Sequence, residues 1–254
     1  MARTIAVANQ KGGVGKTTTV INVAAYLADA GRRVLVVDGD PQGNTTTGLG
    51  IDKSQIDVSL YEVLVAGVPV QEALLPTSVV GLQLVPGALD LAGAEVELLS
   101  AADRLTRLRS VLAPIVSRYD YVLVDCPPSL GVLTMNALVA ADSVMIPLQC
   151  EFFALEGLAQ LLSTIEAVRE RMNPELKLEG VVLTMYDGRT NLAHQVADEV
   201  RSHFRGRVFG TVIPRTVRLS EAPSYGQPIL RYDPRSKAAE VYGALAREVL
   251  GDGA

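Results

Sequence analysis

Lys11-Gly12-Gly13-Val14-Gly15-Lys16-Thr17-Thr18 brings together the groups needed to hold a nucleoside triphosphate. Glycines let backbone N–H groups close around phosphate oxygens, and a helix opening behind them adds free donors and a favourable dipole. Lys16 can reach the β- and γ-phosphates and the Thr17 hydroxyl can hold Mg²⁺, with Gly12, Gly13, Val14, Gly15 and Thr18 as the rest of the cradle. The general pattern asks for a glycine five residues before Gly15. Gln10 stands there instead, and a second lysine, Lys11, is added. Two apolar runs end in carboxylates: Val34-Leu35-Val36-Val37-Asp38-Gly39-Asp40 and Tyr121-Val122-Leu123-Val124-Asp125. Asp125 fits the carboxylate that holds a water of the metal's shell. Asp38 and Asp40 are candidates for that shell or for orienting an attacking water. The chemistry indicated is phosphoryl transfer from ATP.

These residues converge only if the elements beneath them form a parallel sheet, whose strand C-termini share one crevice. Short β-branched runs alternate with helical patterns, the signature of an α/β fold with a mostly parallel twisted sheet flanked by helices on both faces. Strands are expected at 4–8, 33–37, 82–85, 121–125, 143–147, 178–184 and 208–213. Helices are expected at 16–30, 95–117, 131–140, 155–172, 191–204 and 237–250. Residues 44–80 read as an irregular excursion with a short helix around 59–66. Without a repeat or a linker, residues 1–254 are expected to form a single P-loop domain.

Composition narrows the class. Hydrophobic residues make up 48% of the 254 and charged residues 20%, ordinary globular usage. No apolar run approaches the ~20 residues of a membrane span, and the first residues lack the apolar block of a signal peptide. With only Cys126 and Cys150 there is no disulfide framework and no zinc cluster, so a reduced, cytoplasmic setting is expected. The net charge of −5 argues against a general nucleic-acid binder. Residues 201–237, however, hold eight basic residues (Arg201, Arg205, Arg207, Arg215, Arg218, Arg231, Arg235, Lys237) against Glu221 and Asp233, leaving −11 on the rest. A polyanion would meet that C-terminal third. His194 and His203 have no ligand set around them, and Tyr225 reads as a loop anchor rather than a base contact.

The sequence resembles the ParA/Soj group of partition ATPases, within the MinD-like class of P-loop proteins with a two-lysine loop. The likeness runs nearly end to end. It rests on Asn9 to Thr19, on Asp38-Gly39-Asp40-Pro41-Gln42-Gly43-Asn44, on Asp125-Cys126-Pro127-Pro128-Ser129-Leu130-Gly131, on Arg189-Thr190-Asn191-Leu192 and on Ile213 to Gly226. The last segment is the most diagnostic, since the P-loop alone is shared with MinD, nitrogenase iron protein and several ATP-using amidases and ligases. The resemblance implies an ATP-dependent homodimer in which Lys11 reaches the partner's nucleotide. It makes Asp40-Pro41-Gln42 a first switch with Asp40 activating water, and residues 125–131 a second switch sensing the γ-phosphate. It counts Pro214 among the nucleotide contacts. It also implies non-specific double-stranded DNA binding through Arg189 and Arg218, slow hydrolysis stimulated by a ParB-type partner, and a nucleoid location.

Three other readings stay open. A MinD-like membrane ATPase needs a basic, bulky amphipathic terminus, which Ala246-Arg247-Glu248-Val249-Leu250-Gly251-Asp252-Gly253-Ala254 does not offer. An iron–sulfur reductase needs switch-linked cluster thiolates, but Cys150 ends a different strand from Cys126. A metabolic ATP-dependent ligase is compatible with the P-loop alone.

Overall fold

The computed structural model describes residues 2–151, 154–204 and 206–251. Arg205 of the basic set and residues 252–254 of the closing run lie outside the described residues. In chain order the regular elements are β1 (Arg3–Val7), α1 (Lys16–Asp29), β2 (Val34–Asp38), α2 (Asn44–Gly48), β3 (Leu75–Pro76), β4 (Leu82–Val85), α3 (Leu91–Glu97), α4 (Arg107–Leu112), β5 (Tyr121–Asp125), α5 (Val132–Ala140), β6 (Ser143–Gln149), α6 (Ala154–Arg171), β7 (Lys177–Thr184), α7 (Asn191–His203), α8 (Val217–Glu221), α9 (Ile229–Tyr232) and α10 (Lys237–Leu250). Several short 3₁₀ and π turns join them.

The seven strands form one sheet in the order β3-β4-β2-β5-β1-β6-β7. All neighbours run parallel except the short β3. The central strands are apolar on both sides because both sides are covered. On β2, Val34 and Val36 enter the core beneath α1 and α10, while Leu35 and Val37 face the core of α5, α6 and α7. Register brings Asp38 of β2 and Val7 of β1 level with Asp125 of β5, so the two carboxylates and the P-loop leave the sheet at one edge, as expected.

Three expectations are corrected. Residues 208–213 are not a strand. Val208 only bridges Val181, Phe209 N–H bonds to Val181, and the next two N–H groups, of Gly210 and Thr211, donate to the Glu248 carboxylate at 2.7 and 2.8 Å, which breaks the ladder. The helix expected over 95–117 is broken into α3, α4 and turns. Asn136 of α5 takes over the local backbone, accepting from Leu108 N–H at 3.0 Å and donating to the Arg104 carbonyl at 2.6 Å. In the excursion, α2 and β3 appear beside the expected helical segment, which is a π-helical turn at Glu62–Ala66.

The C-terminal segment is bolted to the P-loop helix by one buried side chain. Asn22 donates to the Thr18 carbonyl at 2.8 Å and accepts from Ile229 N–H at 2.7 Å. Asn22→Ala strands that buried donor and is expected to cost about 1–3 kcal/mol in urea unfolding with an unchanged m-value. A loss below about 0.5 kcal/mol would show that the bond carries little.

Candidate nucleotide site

The P-loop is held by its neighbours before any ligand arrives. Asn9 donates to the Pro147 carbonyl at 2.8 Å and accepts from Lys11 N–H, and Thr184 of β7 donates to the Val14 carbonyl at 2.8 Å. Gly13 and Gly15 take left-handed φ values of 73° and 88°, which explains glycine at both positions. Gly15 is the N-cap of α1 and supplies no side-chain acceptor, so the first N–H groups of α1 face the cleft without a capping partner. Thr18 sits in that first turn.

The cleft above has a volume of about 940 Å³ and is lined by Gly12, Gly13, Gly15, Lys16, Thr17 and Thr18 on one side. Asp40, Gln42 and Pro128 come from the two carboxylate loops, and Met185, Pro214, Arg215, Val217, Leu219, Ser220 and Pro223 close the far wall. Lys16 is buried, with Nζ 3.2 Å from the Lys11 carbonyl. Burial lowers its pKa, an effect opposed chiefly by Asp125.

Asp125 is fully buried, and one of its oxygens, Oδ2, accepts two hydroxyls: Thr17 at 2.7 Å and Thr45 at 2.6 Å. Its other oxygen, Oδ1, is buried without a donor. That orphaned acceptor beside the Thr17 hydroxyl fits the expected magnesium arrangement, in which Thr17 would be the direct ligand and Asp125 would hold a shell water. The ion would supply charge neutralisation at the phosphates. Among the described residues no three His, Cys, Asp or Glu side chains form a cluster that could hold a metal by themselves, so the phosphates and water must complete the shell.

Asp38 stands differently. Its Oδ2 accepts the Thr46 N–H and hydroxyl at 2.8 and 2.6 Å, and its Oδ1 accepts Asp40 N–H at 3.3 Å. The expectation that Asp38 joins the magnesium shell gains nothing from this geometry: its carboxylate is spent on fixing the second loop. Asp40 lines the cleft, with Oδ1 accepting Gln42 N–H at 2.9 Å. Thr45, Thr46, Thr184 and Asn9 were missed by sequence reasoning. The run Asn44-Thr45-Thr46-Thr47 so soon after two acids was the available signal for the first pair.

The remaining expectations sort quickly. Cys126 and Cys150 are buried; burial pushes the Cys126 thiol far up and that of Cys150 to about 11, the opposite of cluster ligands. The apolar face of α10 packs in the core under α1. Among the described residues no helix is long and apolar enough to cross a membrane. His194 ties its loop, bonding Tyr186 Oη at 2.8 Å and the Gly188 carbonyl at 2.9 Å. Tyr225 is 66% exposed, with its ring 5.1 Å from that of Tyr232. Arg189 and Arg218 are both on the surface, each paired with carboxylates, the former with Asp187 and the latter with Glu221 and Asp233.

Burial first, and then repulsion from Asp125 in the case of Asp38, raises the pKa of both Asp38 and Asp125. A carboxyl raised by folding keeps its proton where the unfolded chain has lost it. The nucleotide-free protein therefore loses stability from this pair as pH rises from about 4 through about 7. Asp125→Asn is expected to raise Tm relative to wild type by at least about 2 °C more at pH 7.5 than at pH 5, measured by calorimetry without nucleotide. An equal shift at both values would contradict the assignment.

A sequence-family model described as an AAA domain matches residues 2–178. The chain is 57% identical over 250 residues to the chromosome partitioning protein ParA of Myxococcus xanthus, covering 98% of this chain and 88% of that one. It is 54% identical over 253 residues to the sporulation initiation inhibitor protein Soj of Bacillus subtilis, covering all of both. A crystal structure of cobyrinic acid a,c-diamide synthase from Mycobacterium smegmatis with bound ADP and magnesium superposes with a TM-score of 0.87 at 44% identity, over 98% of this chain and 94% of that one. A P-loop poised for phosphates, a buried carboxylate prepared for magnesium and end-to-end likeness to partition proteins lead to one assignment: the chain belongs to the ParA/Soj family of chromosome-partitioning ATPases, with ATP and Mg²⁺ as its ligands.

Proposed function

We propose that this ATPase is a dimerising switch for DNA segregation: ATP joins two copies, the pair binds double-stranded DNA without sequence preference on the nucleoid, and hydrolysis stimulated by a ParB-type partner resets it. The observation that carries the reading is the rim of the P-loop. Lys16 is the in-loop cation, while Lys11 lies outside the loop with its side chain 39% exposed and Nζ 2.9 Å from Glu151. A Cβ on Gly12 would meet only Pro128, at an ordinary 3.8 Å, so nothing within the chain requires glycine there. Its bareness leaves room for what approaches from outside the chain: the phosphates in the cleft and, in this reading, a second subunit carrying its own Lys11.

Each residue then has a separable task. Lys16 binds the phosphates, and Lys16→Ala is expected to lose nucleotide binding. Asp40 orients water for attack and is not needed to hold ATP, so Asp40→Ala should accumulate as an ATP-bound dimer with phosphate release reduced at least ~100-fold. Gly12→Val should bind ATP and remain monomeric. Sedimentation with ATP reads both: a monomeric Asp40→Ala or a dimeric Gly12→Val would overturn the roles.

For DNA, the pairs of Arg189 with Asp187 and of Arg218 with Glu221 and Asp233 are solvent-exposed and therefore weak, so a phosphate can replace the carboxylate. The carboxylates nonetheless cancel much of a single subunit's field, and two joined copies supply enough contacts to compete. Binding is expected to need ATP and to be indifferent to base sequence. It should fall with salt at a log–log slope of about −0.9 per phosphate contacted. Arg189→Ala and Arg218→Ala should each weaken it at least ~10-fold with dimerisation intact, and undiminished binding by either would misplace the surface. The remainder of the chain, net −11 outside 201–237, suits a basic segment of the ParB-type partner. A second reading, an ATP-dependent amide-forming synthase, is favoured by the name of the Mycobacterium smegmatis relative. ATP turnover with and without DNA and a ParB protein separates the two: acceleration supports the switch, and an unchanged rate supports the synthase.

A further inference from the structure

We propose that Thr45 is a positioning residue through which the state of the nucleotide site is passed, within one subunit, to the segment that carries Arg218; this rests on the DNA-binding reading above only for its consequence. The connection is made of short polar and backbone contacts. Asp125 Oδ2 is shared by the Thr17 hydroxyl of the P-loop and the Thr45 hydroxyl of α2. Any ligand that draws the Thr17 hydroxyl toward itself changes the competition for that oxygen, and Thr45 is the other donor. Thr46 secures the same helix to the end of β2 and to the loop after β4, donating to Asp38 Oδ2 and accepting from Gly87 N–H at 3.0 Å. Helix α2 is therefore referenced to the ends of β2 and β5 and to the loop after β4 by two adjacent hydroxyls.

At its other end α2 meets the far wall of the cleft with almost no side chain between. A Cβ on Gly48 would stand 3.6 Å from Pro223 Cβ. Gly50 and Gly226, at left-handed φ values of 86° and 63°, touch backbone to backbone: a Cβ on Gly226 would stand 2.6 Å from Gly50 Cα, and one on Gly50 would stand 2.9 Å from the Gly226 carbonyl oxygen. Two main chains in contact have no rotamers with which to absorb a shift, so a displacement of α2 moves the 222–226 turn. That turn continues from α8, which bears Arg218, and Gly226 N–H is bonded to the Pro223 carbonyl at 3.0 Å. The geometry thus runs from Thr17 through Asp125, Thr45 and the Gly50–Gly226 joint to Arg218. Coupling of this kind is reciprocal for binding: whatever fixes the 217–226 segment must also alter the preference of the cleft for one nucleotide state over another.

Hydrogen–deuterium exchange measured by mass spectrometry on the full chain tests this, with ADP at saturation in EDTA or with Mg²⁺. ADP fills the cleft in both arms and ATP is absent from both, so direct contact with the cleft wall and ATP-driven pairing do not distinguish them. Wild type is expected to change exchange of the 217–226 amides at least threefold between them, together with 44–50. Thr45→Ala should still bind ADP in both conditions but lose most of that difference at 217–226, and Thr45→Ser, which restores the hydroxyl, should recover it. No wild-type difference, or the same difference in Thr45→Ala, would overturn the proposal. From the other end, Gly226→Ala is expected to change the ratio of ADP affinities with and without Mg²⁺ at least threefold in the absence of DNA, and an unchanged ratio in a folded variant would also overturn it. Failure of the DNA reading is seen separately, as wild type with a magnesium-dependent 217–226 segment and no affinity for DNA.

Discussion

A carboxylate with no solvent exposure, at the point where three strands end, sets the terms for the rest of this molecule. Burying an ionised Asp125 is costly unless donors replace its water. The chain supplies two hydroxyls, from different loops, on one oxygen and leaves the other without a donor. The P-loop and the loop after β2 are in this way positioned against the same atom before any ligand is present. Gly39 belongs to the same arrangement: its N–H bonds the Asp125 carbonyl at 2.9 Å, and a Cβ there would stand 2.7 Å from that oxygen. Asp125 Oδ1 is buried with no donor from the chain, an acceptor suited to a water of a magnesium shell.

The two lysines show how position decides chemistry for one residue type. Lys16 sits inside the loop, desolvated and balanced by Asp125, so a phosphate meets a cation that has little water to shed. Lys11, five residues earlier, is half-exposed and paired with Glu151, and its charge is available to whatever approaches the rim. Sequence spacing alone distinguishes them because a P-loop has room for one lysine facing its own phosphates. The second must look outward.

What could be read in the sequence was what local chemistry determines. The P-loop, the strands ending in Asp38 and Asp125, and most helices follow from glycine spacing, apolar runs and 3.6-residue periodicity. Cap residues agree: Thr190 and Ser236 each accept the N–H three residues on at the starts of α7 and α10. The misreadings have a common cause in side chains arriving from far along the chain. Glu248 ends the ladder at 210–211, and Asn136 breaks the helix near 104–108. Thr45 and Thr46 belong to this class too. A threonine run is unremarkable until the fold sets it under two buried carboxylates.

The surface arginines carry the same principle into function. Asp187 lies two residues from Arg189, close enough that the pairing is dictated locally, and the arginine's hydrogen bonds hold that carboxyl down at about 2. The pair is therefore present at any physiological pH. An arginine already neutralised is a poor ligand for stray polyanions and an adequate one for a phosphate array that contacts many such sites together. Weak pairs of this sort raise the number of contacts needed before binding becomes favourable, and a requirement for number is what a change from one copy to two can satisfy. The unpaired oxygen in the core and the paired arginines at the surface are then complementary devices. In the proposed switch, one makes the protein wait for its nucleotide, and the other makes it wait for its second copy.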